Sequence, residues 1–475
     1  MEAPFKPKRV ISVFVLAMFN VSIMVSLRNL PLVAEFGYQS VFLFLVVAIC
    51  FFLPVALVAA ELATGWTQSG GIYIWVREAF GERWGFFAVW VQWAHNITWY
   101  SAILFFVAST LAYIFSPSLA MNKAFVEIVT LVLFWTITFL NYRGLKISSL
   151  LSTIGALGGT ILPGLLIILL GILWIARGDL IQLPFTVKNF LPDFSSFDQL
   201  VFIGGLFLAF SGSEVSASYA SEVKSPQKNY PRAILIAAAV TLFFSIFGSL
   251  SILVVVPQGK ISLVEGVLQT LYTYLSQFKI GWTLPIIAFL LIGGALAEVN
   301  SWVIGLVKAL HRSAINGNLP PIFHNLNRRG IPTHLLILQG VIVTITSLVI
   351  LFMPSISTAY WILSAISAQV YLVMYAIMFL AAIRLRYTHP HIKRHYRIPY
   401  SNKGIWLIAS LGLLSAIFAI FVAFIPPSQI PTGNIYIYES LLIGGFIISL
   451  IIPLVISRFR KPSWKTNHDV STKHE

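Results

Sequence analysis

Long apolar stretches, separated by short polar segments, repeat along almost the whole chain of 475 residues. Crossing about 30 Å of hydrocarbon takes roughly 20 apolar residues in a helix. Twelve stretches reach that length, so the pattern predicts an all-α polytopic membrane protein with twelve transmembrane helices. They cover residues 10–33, 39–62, 84–115, 123–142, 148–175, 198–220, 232–256, 282–308, 334–354, 359–383, 404–426 and 438–457.

The composition agrees with this pattern. Hydrophobic residues make up 58% of the chain, charged residues 10%, and the mean hydropathy is +0.87, whereas a soluble protein carries about 25% charged residues. The polar segments are loop-sized, and we expect short surface helices in some of them. We therefore predict a single transmembrane domain over residues 1–457 and a short cytoplasmic tail over 458–475.

The net charge of +15 reflects membrane topology. If the N-terminus is inside and the spans alternate, the inner segments carry 25 of the 31 Lys and Arg residues, and the outer side carries six, counting Arg28 at the outer end of the first span. An excess of cytoplasmic cations is the positive-inside rule. It predicts cytoplasmic termini and contact with anionic membrane lipids, and it leaves no reason to expect nucleic-acid binding.

Two of the predicted spans contain residues that weaken a helix. The first runs into Ser26, Arg28 and Pro31, and the sixth contains Ser211 and Gly212. Secondary transporters are often built from two inverted five-helix repeats that each begin with a broken helix, and such breaks survive only beside a cavity. The alternative is that the first span simply ends at Arg28. The predicted repeats cover about 10–175 and 198–383, and two extra helices cover 404–457.

Two carboxylates fall near the middle of spans, where a charge is costly. Glu214 lies in the sixth span and Glu298 in the eighth. A buried carboxylate keeps its charge only with a partner and otherwise binds a proton. Each is therefore a candidate for substrate binding or gating, and a packing role is the alternative. Glu61, Glu127 and Glu439 lie near span ends, where we expect them to be solvated.

A large aromatic residue shares a helix face with one of these acids. Trp302 follows Glu298 by four residues, and the small residues Gly294, Ser301 and Gly305 recur at helical spacing on the predicted face. Small residues allow a substrate or a helix to approach closely. The pattern favours a lid over a pocket, with packing in the core or against lipid as the alternative.

The third and tenth spans contain further polar candidates. Tyr371 and Tyr375 are one turn apart and follow Ser364 and Ser367, so the two phenols form either a gate or an interhelical contact. His95 either senses pH, because histidine titrates near neutrality, or is hydrogen-bonded between helices.

Catalytic and metal-binding motifs are absent from the sequence. It has no Walker loop, no G-x-S-x-G, no H-E-x-x-H and only one cysteine, Cys50. His389, His391 and His395 lie in a basic loop without an acid nearby. We therefore predict a protein that is not an enzyme and that uses no metal or cofactor.

Four stretches together resemble one transporter superfamily. They are residues 28–31 (RNLP), 61–75 (ELATGWTQSGGIYIW), 212–218 (GSEVSAS) and 297–302 (AEVNSW). They are similar to motifs of the amino acid–polyamine–organocation transporters, with the closest resemblance to bacterial glutamate/GABA antiporters. The resemblance runs from the first span to the last. It implies a LeuT-type fold of five-plus-five inverted repeats plus two helices, in the bacterial cytoplasmic (inner) membrane.

The resemblance also implies a substrate site. Backbone N–H groups at the first break would hold an α-carboxylate, and carbonyl groups at the second would hold an α-ammonium group. Trp302 matches the family's occluding aromatic residue, Glu298 and Glu214 match acids of binding and proton-linked gating, and Tyr371 and Tyr375 match a tyrosine pair. The residues at the breaks are Ile23, Met24, Val25 and Ser26 in the first span and Phe210, Ser211 and Gly212 in the sixth.

The chain departs from that family at two points. Val25 and Ser26 stand where glutamate/GABA antiporters tend to have an aromatic pair, which changes the surroundings of the carboxylate site. The predicted tail at 458–475 is expected to be too short for the C-terminal plug of better-known members.

The implied function is exchange of an amino acid, with glutamate as the best candidate, for its decarboxylation product GABA. Protons would be a second partner, and a cytoplasmic amino-acid decarboxylase would be a functional one, as in acid resistance. The nearest alternative is a proton-coupled amino-acid importer. A channel and a non-transporting amino-acid sensor are more distant alternatives.

Overall fold

The fold is described from a computed structural model of the chain, over residues 11–66, 70–144, 155, 157–182, 190–192, 201, 203–216, 223–427 and 430–465. Within these ranges the regular structure is helical, apart from one isolated bridge between Ile11 and Val223. The helices used below are α1 (Val13–Met24), α2 (Leu30–Ala34), α3 (Gln39–Gly65), α4 (Ile72–Phe80), α5 (Glu82–Phe115), α6 (Lys123–Tyr142), α7 (Gly158–Ala176), α8 (Ile203–Ala209), α9 (Pro226–Val255), α10 (Gly266–Gln277), α11 (Leu284–Ser313), α12 (Thr333–Ser347), α13 (Ile356–Thr388), α14 (Ser401–Val422) and α15 (Ile435–Arg458).

Ten helices of the described residues are long and apolar enough to cross a membrane. They correspond to every predicted span except the first and the sixth. The fourth span, 123–142, has the bounds of α6, and the beginning of the fifth, 148–175, lies outside the described residues. An all-α membrane protein with many spans is therefore confirmed.

The first predicted span is divided into two helical pieces. Helix α1 ends at Met24, and Val25 and Ser26 are extended, with ψ angles of 111° and 113°. A 3-10 turn at Leu27–Asn29 then leads into α2. The predicted break is confirmed, and the alternative that the span ends at Arg28 is wrong, because a helix continues beyond it.

The sixth predicted span is divided as well. Helix α8 ends at Ala209, residues 211 and 212 are outside any helix, and a 3-10 turn occupies residues 213–216. Gly212 has a φ of +99°, a region that glycine adopts at no steric cost and other residues rarely adopt. The predicted break at this glycine is therefore confirmed.

Helix α5 lies at the centre of the fold and packs against α11 and α13. Every residue from Gly85 to Thr110 is buried, including the polar side chains of Gln92, His95 and Asn96. Helices α7 and α11 approach each other closely: a Cβ on Gly159 would lie 2.4 Å from the Cα of Gly294. The small residue predicted at 294 thus permits close helix packing.

Two acids that were expected to be solvated are buried. Glu61 is 2% exposed and Glu127 is 5% exposed. Glu61 forms an ion pair with Arg386, and the Ser347 hydroxyl donates a hydrogen bond to Glu127 at 2.7 Å. The expectation was wrong because distance along a helix says nothing about the loops and helices that cover its end. Glu439 is partly exposed.

The longer loops contain the short helices α4 and α10. Helix α10 has an exposed side as well as a buried one, whereas residues Ile72 to Val76 of α4 are all buried, so α4 is not a surface helix. Of the predicted tail, residues 458–465 are described, and Arg460 donates hydrogen bonds to the carbonyls of Gly317 and Asn316 at 2.9 and 3.0 Å.

Candidate functional site

A small cavity lies where the two helix breaks meet α5, α11 and α13. Its volume is about 30 Å³, which has room for about two water molecules and not for an amino acid. Most of the predicted site residues line it: Ile23, Met24, Ser26, His95, Ser211, Gly212, Glu298, Trp302 and Tyr371. The lining also includes residues that the sequence analysis did not single out for a site, among them Arg28, Asn29 and Trp99.

Two of the residues predicted to bind the substrate do not line the cavity with their side chains. Phe210 is fully buried and packs against Phe44 and Phe52, with ring centroids 5.7 and 5.2 Å apart. The side chain of Val25 is 5% exposed and belongs to the hydrophobic core. Both residues can act on a ligand only through their backbone.

The first break leaves backbone donors without acceptors. The N–H groups of Ser26, Leu27 and Arg28 have no hydrogen-bond acceptor among the described residues. The first N–H groups of any helix lack an intrahelical partner, and these three lie at the start of the second helical piece. They therefore form a donor set for an anion.

This result corrects the expected position of the donors, which the sequence analysis placed at Ile23, Met24, Val25 and Ser26. The N–H group of Val25 donates to the carbonyl of Val21 at 2.9 Å. Ile23 and Met24 lie in the last turn of α1 and contribute side chains to the cavity. Of the four, only Ser26 belongs to the donor set.

The second break touches the first at Gly212. A Cβ built on Gly212 would lie 2.6 Å from Ile23 Cγ2 and 3.7 Å from Trp302 Cζ2. The Gly212 N–H donates to the Tyr375 hydroxyl at 2.8 Å, and its carbonyl accepts from the Val215 N–H at 3.1 Å. Backbone of the sixth segment is thus joined to α13 at this point.

Glu214 lies behind the cavity wall, in a cluster of hydroxyl and amide groups. The Tyr371 hydroxyl donates to one carboxylate oxygen of Glu214, and the Tyr375 hydroxyl donates to the other at 2.5 Å. Gln92 of α5 donates to the same carboxylate at 3.4 Å. Tyr371 also lines the cavity, so it contacts both the cavity and Glu214. The structure therefore brings together three of the predicted gating residues.

His95 packs flat against Tyr371, with ring centroids 3.7 Å apart and an angle of 11° between the planes. Its Nδ1 lies 3.2 Å from the Ser367 hydroxyl, and the Asn96 side-chain amide lies 2.6 Å from its Nε2. With Asn96 as donor to Nε2, the proton is on Nδ1 and is donated to Ser367. His95 is thus hydrogen-bonded between helices, the alternative that the sequence analysis left open.

Glu298 and Trp302 both face the cavity from α11, as predicted. The Glu298 carboxylate accepts no hydrogen bond from the described residues, and the Trp302 ring lies 6.3 Å from that of Trp99. Ser301 and Gly305 are exposed and do not line the cavity. Of the residues predicted on that face, only Glu298 and Trp302 line the cavity.

Arg28 is the site residue that sequence reasoning missed. It was counted among the outer cations, yet it is 3% exposed and lines the cavity. Its guanidinium lies 5.1 Å from the centroid of the Trp99 ring, and it interacts electrostatically with Glu298. Its place two residues after the break could have revealed it, because a residue beside the centre of a broken span cannot lie at the membrane surface.

Metal binding has no support among the described residues, in which no three His, Cys, Asp or Glu side chains form a group that could hold an ion. His389, one of the three loop histidines, packs against Trp66 with centroids 6.1 Å apart.

The chain is similar to a family model and to several known transporters. A model of the amino acid permease family matches residues 10–448. An uncharacterized transporter of Legionella pneumophila is 44% identical over 451 residues, which cover 95% of this chain and 97% of that protein. A glutamate/gamma-aminobutyrate antiporter of Lactococcus lactis is 30% identical over 465 residues, 97% of this chain and 92% of that protein. A probable agmatine/putrescine antiporter of the same species is 25% identical over 429 residues, 90% of each chain.

Proposed function

The chain belongs to the amino acid permease family, and we propose that it exchanges glutamate for its decarboxylation product GABA across the bacterial cytoplasmic membrane by alternating access. Family membership makes it a membrane transporter of amino acids and not an enzyme. Glutamate and GABA are named for the Lactococcus lactis relative, and the chemistry of the cavity supports the same pair here.

The observation that carries this proposal is the meeting of two helix breaks at one small cavity. The donor set of Ser26, Leu27 and Arg28 would hold the α-carboxylate, with help from the dipole of the helical piece that follows. Since the Gly212 carbonyl already accepts a hydrogen bond, the carbonyls of Phe210 and Ser211 would hold the α-ammonium group.

The cavity must open to admit a substrate. At about 30 Å³ it is too small for glutamate, so binding requires a broken segment to move relative to α5 and α11. Trp302 would act as the lid, because its ring lies beside Gly212 and Trp99. Glu298 would bind the substrate from the same face of α11.

Proton-linked gating would act through Glu214. Protonation removes one acceptor site for the hydroxyls of Tyr371 and Tyr375, and Tyr375 also accepts from the Gly212 N–H. A change at Glu214 would therefore reach the backbone of the second break through a single hydroxyl group. His95 would contribute by holding the Tyr371 ring in place.

The architecture that fits this mechanism has twelve spans. The ten continuous helices and the two broken segments together make that number. They would form inverted repeats over about 10–175 and 198–383, followed by two extra helices over 404–457, with both termini in the cytoplasm. A cytoplasmic decarboxylase would consume a proton as it forms GABA, so exchange would export a proton equivalent.

Counterflow in proteoliposomes tests the proposal. Vesicles that contain purified protein and GABA are exposed to labelled glutamate at acid and at neutral pH, and vesicles without protein are the control. We expect saturable uptake that depends on internal GABA. Uptake into vesicles without GABA, driven by a pH gradient, would indicate an importer instead. Conductance without saturation would indicate a channel, and binding without flux would indicate a sensor.

A further inference from the structure

Arg28 presents an unused hydrogen-bond donor at the cavity. The side chain is 3% exposed, and its Nη1 has no hydrogen-bond partner in the described part of the chain. Its Nε donates to the Ser26 hydroxyl at 3.2 Å, and its guanidinium lies over the Trp99 ring. Neither contact neutralises the charge.

A buried guanidinium without an anion is unfavourable, because a full charge and several N–H donors have lost their water. Glu298 acts on Arg28 electrostatically, but the ion pairs within 4 Å that the described residues form include neither of them. A guanidinium and a carboxyl group therefore line one cavity without touching. A ligand that carries both an anion and a cation would complete this arrangement.

This inference rests on the proposed function, in which the backbone donor set takes the α-carboxylate. We propose that Arg28 binds a second carboxylate, on the side chain of the substrate. A planar guanidinium can donate two parallel hydrogen bonds to a carboxylate, which gives selectivity for that group. The substrate class is then amino acids with an acidic side chain, together with the amines formed when they lose the α-carboxylate.

One contact with Arg28 serves both directions of such an exchange. Decarboxylation removes the α-carboxylate and leaves the amine and the side-chain carboxylate unchanged. A site that recognises the side-chain carboxylate therefore accepts both the acidic amino acid and its product. A diamine carries a second cation where these substrates carry an anion, and Arg28 repels it at short range.

Matched substrates test this role directly. Glutamine has the shape of glutamate with an amide in place of the side-chain carboxylate, so wild-type protein is expected to exchange glutamate with the lower KM. In Arg28→Gln, we expect the KM for glutamate and for GABA to rise about 10- to 100-fold, and that for glutamine to change by less than about threefold. Arg28→Lys keeps the charge but loses the planar guanidinium and its two parallel donors. Its KM values for glutamate and GABA should therefore lie between those of wild type and Arg28→Gln.

A control variant and two contrary outcomes complete the test. Lys260→Gln removes one positive charge from an exposed loop and should leave every KM unchanged. If Arg28→Gln raised the KM for glutamate and glutamine equally and left GABA unaffected, Arg28 would bind the α-carboxylate, and the inference would be wrong. Should that variant fail to insert, equal KM values for glutamate and glutamine in wild-type protein would overturn it. Absence of all exchange by wild-type protein would instead contradict the proposed function.

Discussion

At the scale of single residues, Gly212 has two independent reasons to be a glycine. Its φ of +99° is strained for any residue with a Cβ. A Cβ there would also lie 2.6 Å from Ile23 Cγ2, closer than two carbon atoms can pack. The break of the sixth segment and its contact with the first segment therefore both depend on this residue.

We expect Gly212→Ala to reduce glutamate/GABA exchange to less than about a tenth of the wild-type rate, since the added methyl group strains the backbone and displaces Ile23. Counterflow in proteoliposomes measures the effect, after gel filtration has shown that the variant is folded. Gly305→Ala is the matched control, because a Cβ at Gly305 meets no atom within 4 Å. Wild-type exchange by Gly212→Ala would mean that the break does not need this conformation.

Residue types alone located much of the site. Glu298 was predicted from its position in the middle of a span and Trp302 from its spacing to Glu298, and both line the cavity. Arg28 was misplaced because a charged residue near the end of an apolar stretch looks like a membrane boundary, and only the course of the chain through the break brings it to the cavity.

At the scale of elements, a buried ion pair holds the loop after α13 against the end of α3. Glu61 accepts two hydrogen bonds from Arg386, and its carboxylate also accepts from the Ile398 N–H at 2.9 Å and lies 3.4 Å from Arg394 Nε. The Arg386 guanidinium reaches the carbonyl of Ser401 at 2.9 Å. One carboxylate therefore organises two arginines and the backbone of the loop.

Removal of the acid should lower the free energy of unfolding more than removal of either base. Glu61→Gln leaves Arg386 and Arg394 buried without a carboxylate, and we expect it to destabilise the protein by about 3–5 kcal/mol. Arg386→Gln leaves Glu61 paired with Arg394, so this variant should be destabilised less. Thermal unfolding in detergent measures both, and equal losses would contradict this account. Glu78→Gln is the control: its partner is Arg77, the pair is partly exposed, and such pairs contribute less than about 1 kcal/mol.

A carboxyl group just before the loop helix α10 makes stability depend on pH. Burial raises the pKa of Glu265, just before α10, to about 7. The folded state therefore binds a proton that the unfolded state has lost between about pH 4.5 and pH 7, so stability should fall as pH rises through that window. The contribution of Glu265 to stability should be constant below and above that window.

We expect Glu265→Gln to remove this dependence, because the amide resembles the neutral carboxyl group. The variant should unfold at the same temperature as wild type near pH 4.5 and at a higher temperature at pH 8. Lys260→Gln, a charge change in the same loop, should leave the wild-type pH dependence intact. Parallel pH curves for Glu265→Gln and wild type would show that another group is responsible.

At the scale of the whole molecule, the charge distribution predicts which loops face the cytoplasm. The chain has a single cysteine, Cys50, so Cys50→Ala provides a background for labelling. In that background Lys260→Cys should react with a membrane-impermeant maleimide on intact cells. Lys228→Cys should react only after the membrane is permeabilised, because the positive-inside rule places it in the cytoplasm. Both positions are exposed, and the reverse pattern would invert the topology.

The sequence by itself determined the membrane class, the approximate spans and the two breaks. These are local properties, because the length of an apolar stretch, or a glycine next to serines, acts on the few residues around it. Only the tertiary structure decided which groups meet: Glu214 with Tyr371 and Tyr375, and Glu61 with Arg386. It also placed Arg28 at the cavity. Such contacts join residues that are far apart in the chain, and they depend on how each helix is rotated and packed, which hydropathy and spacing do not specify.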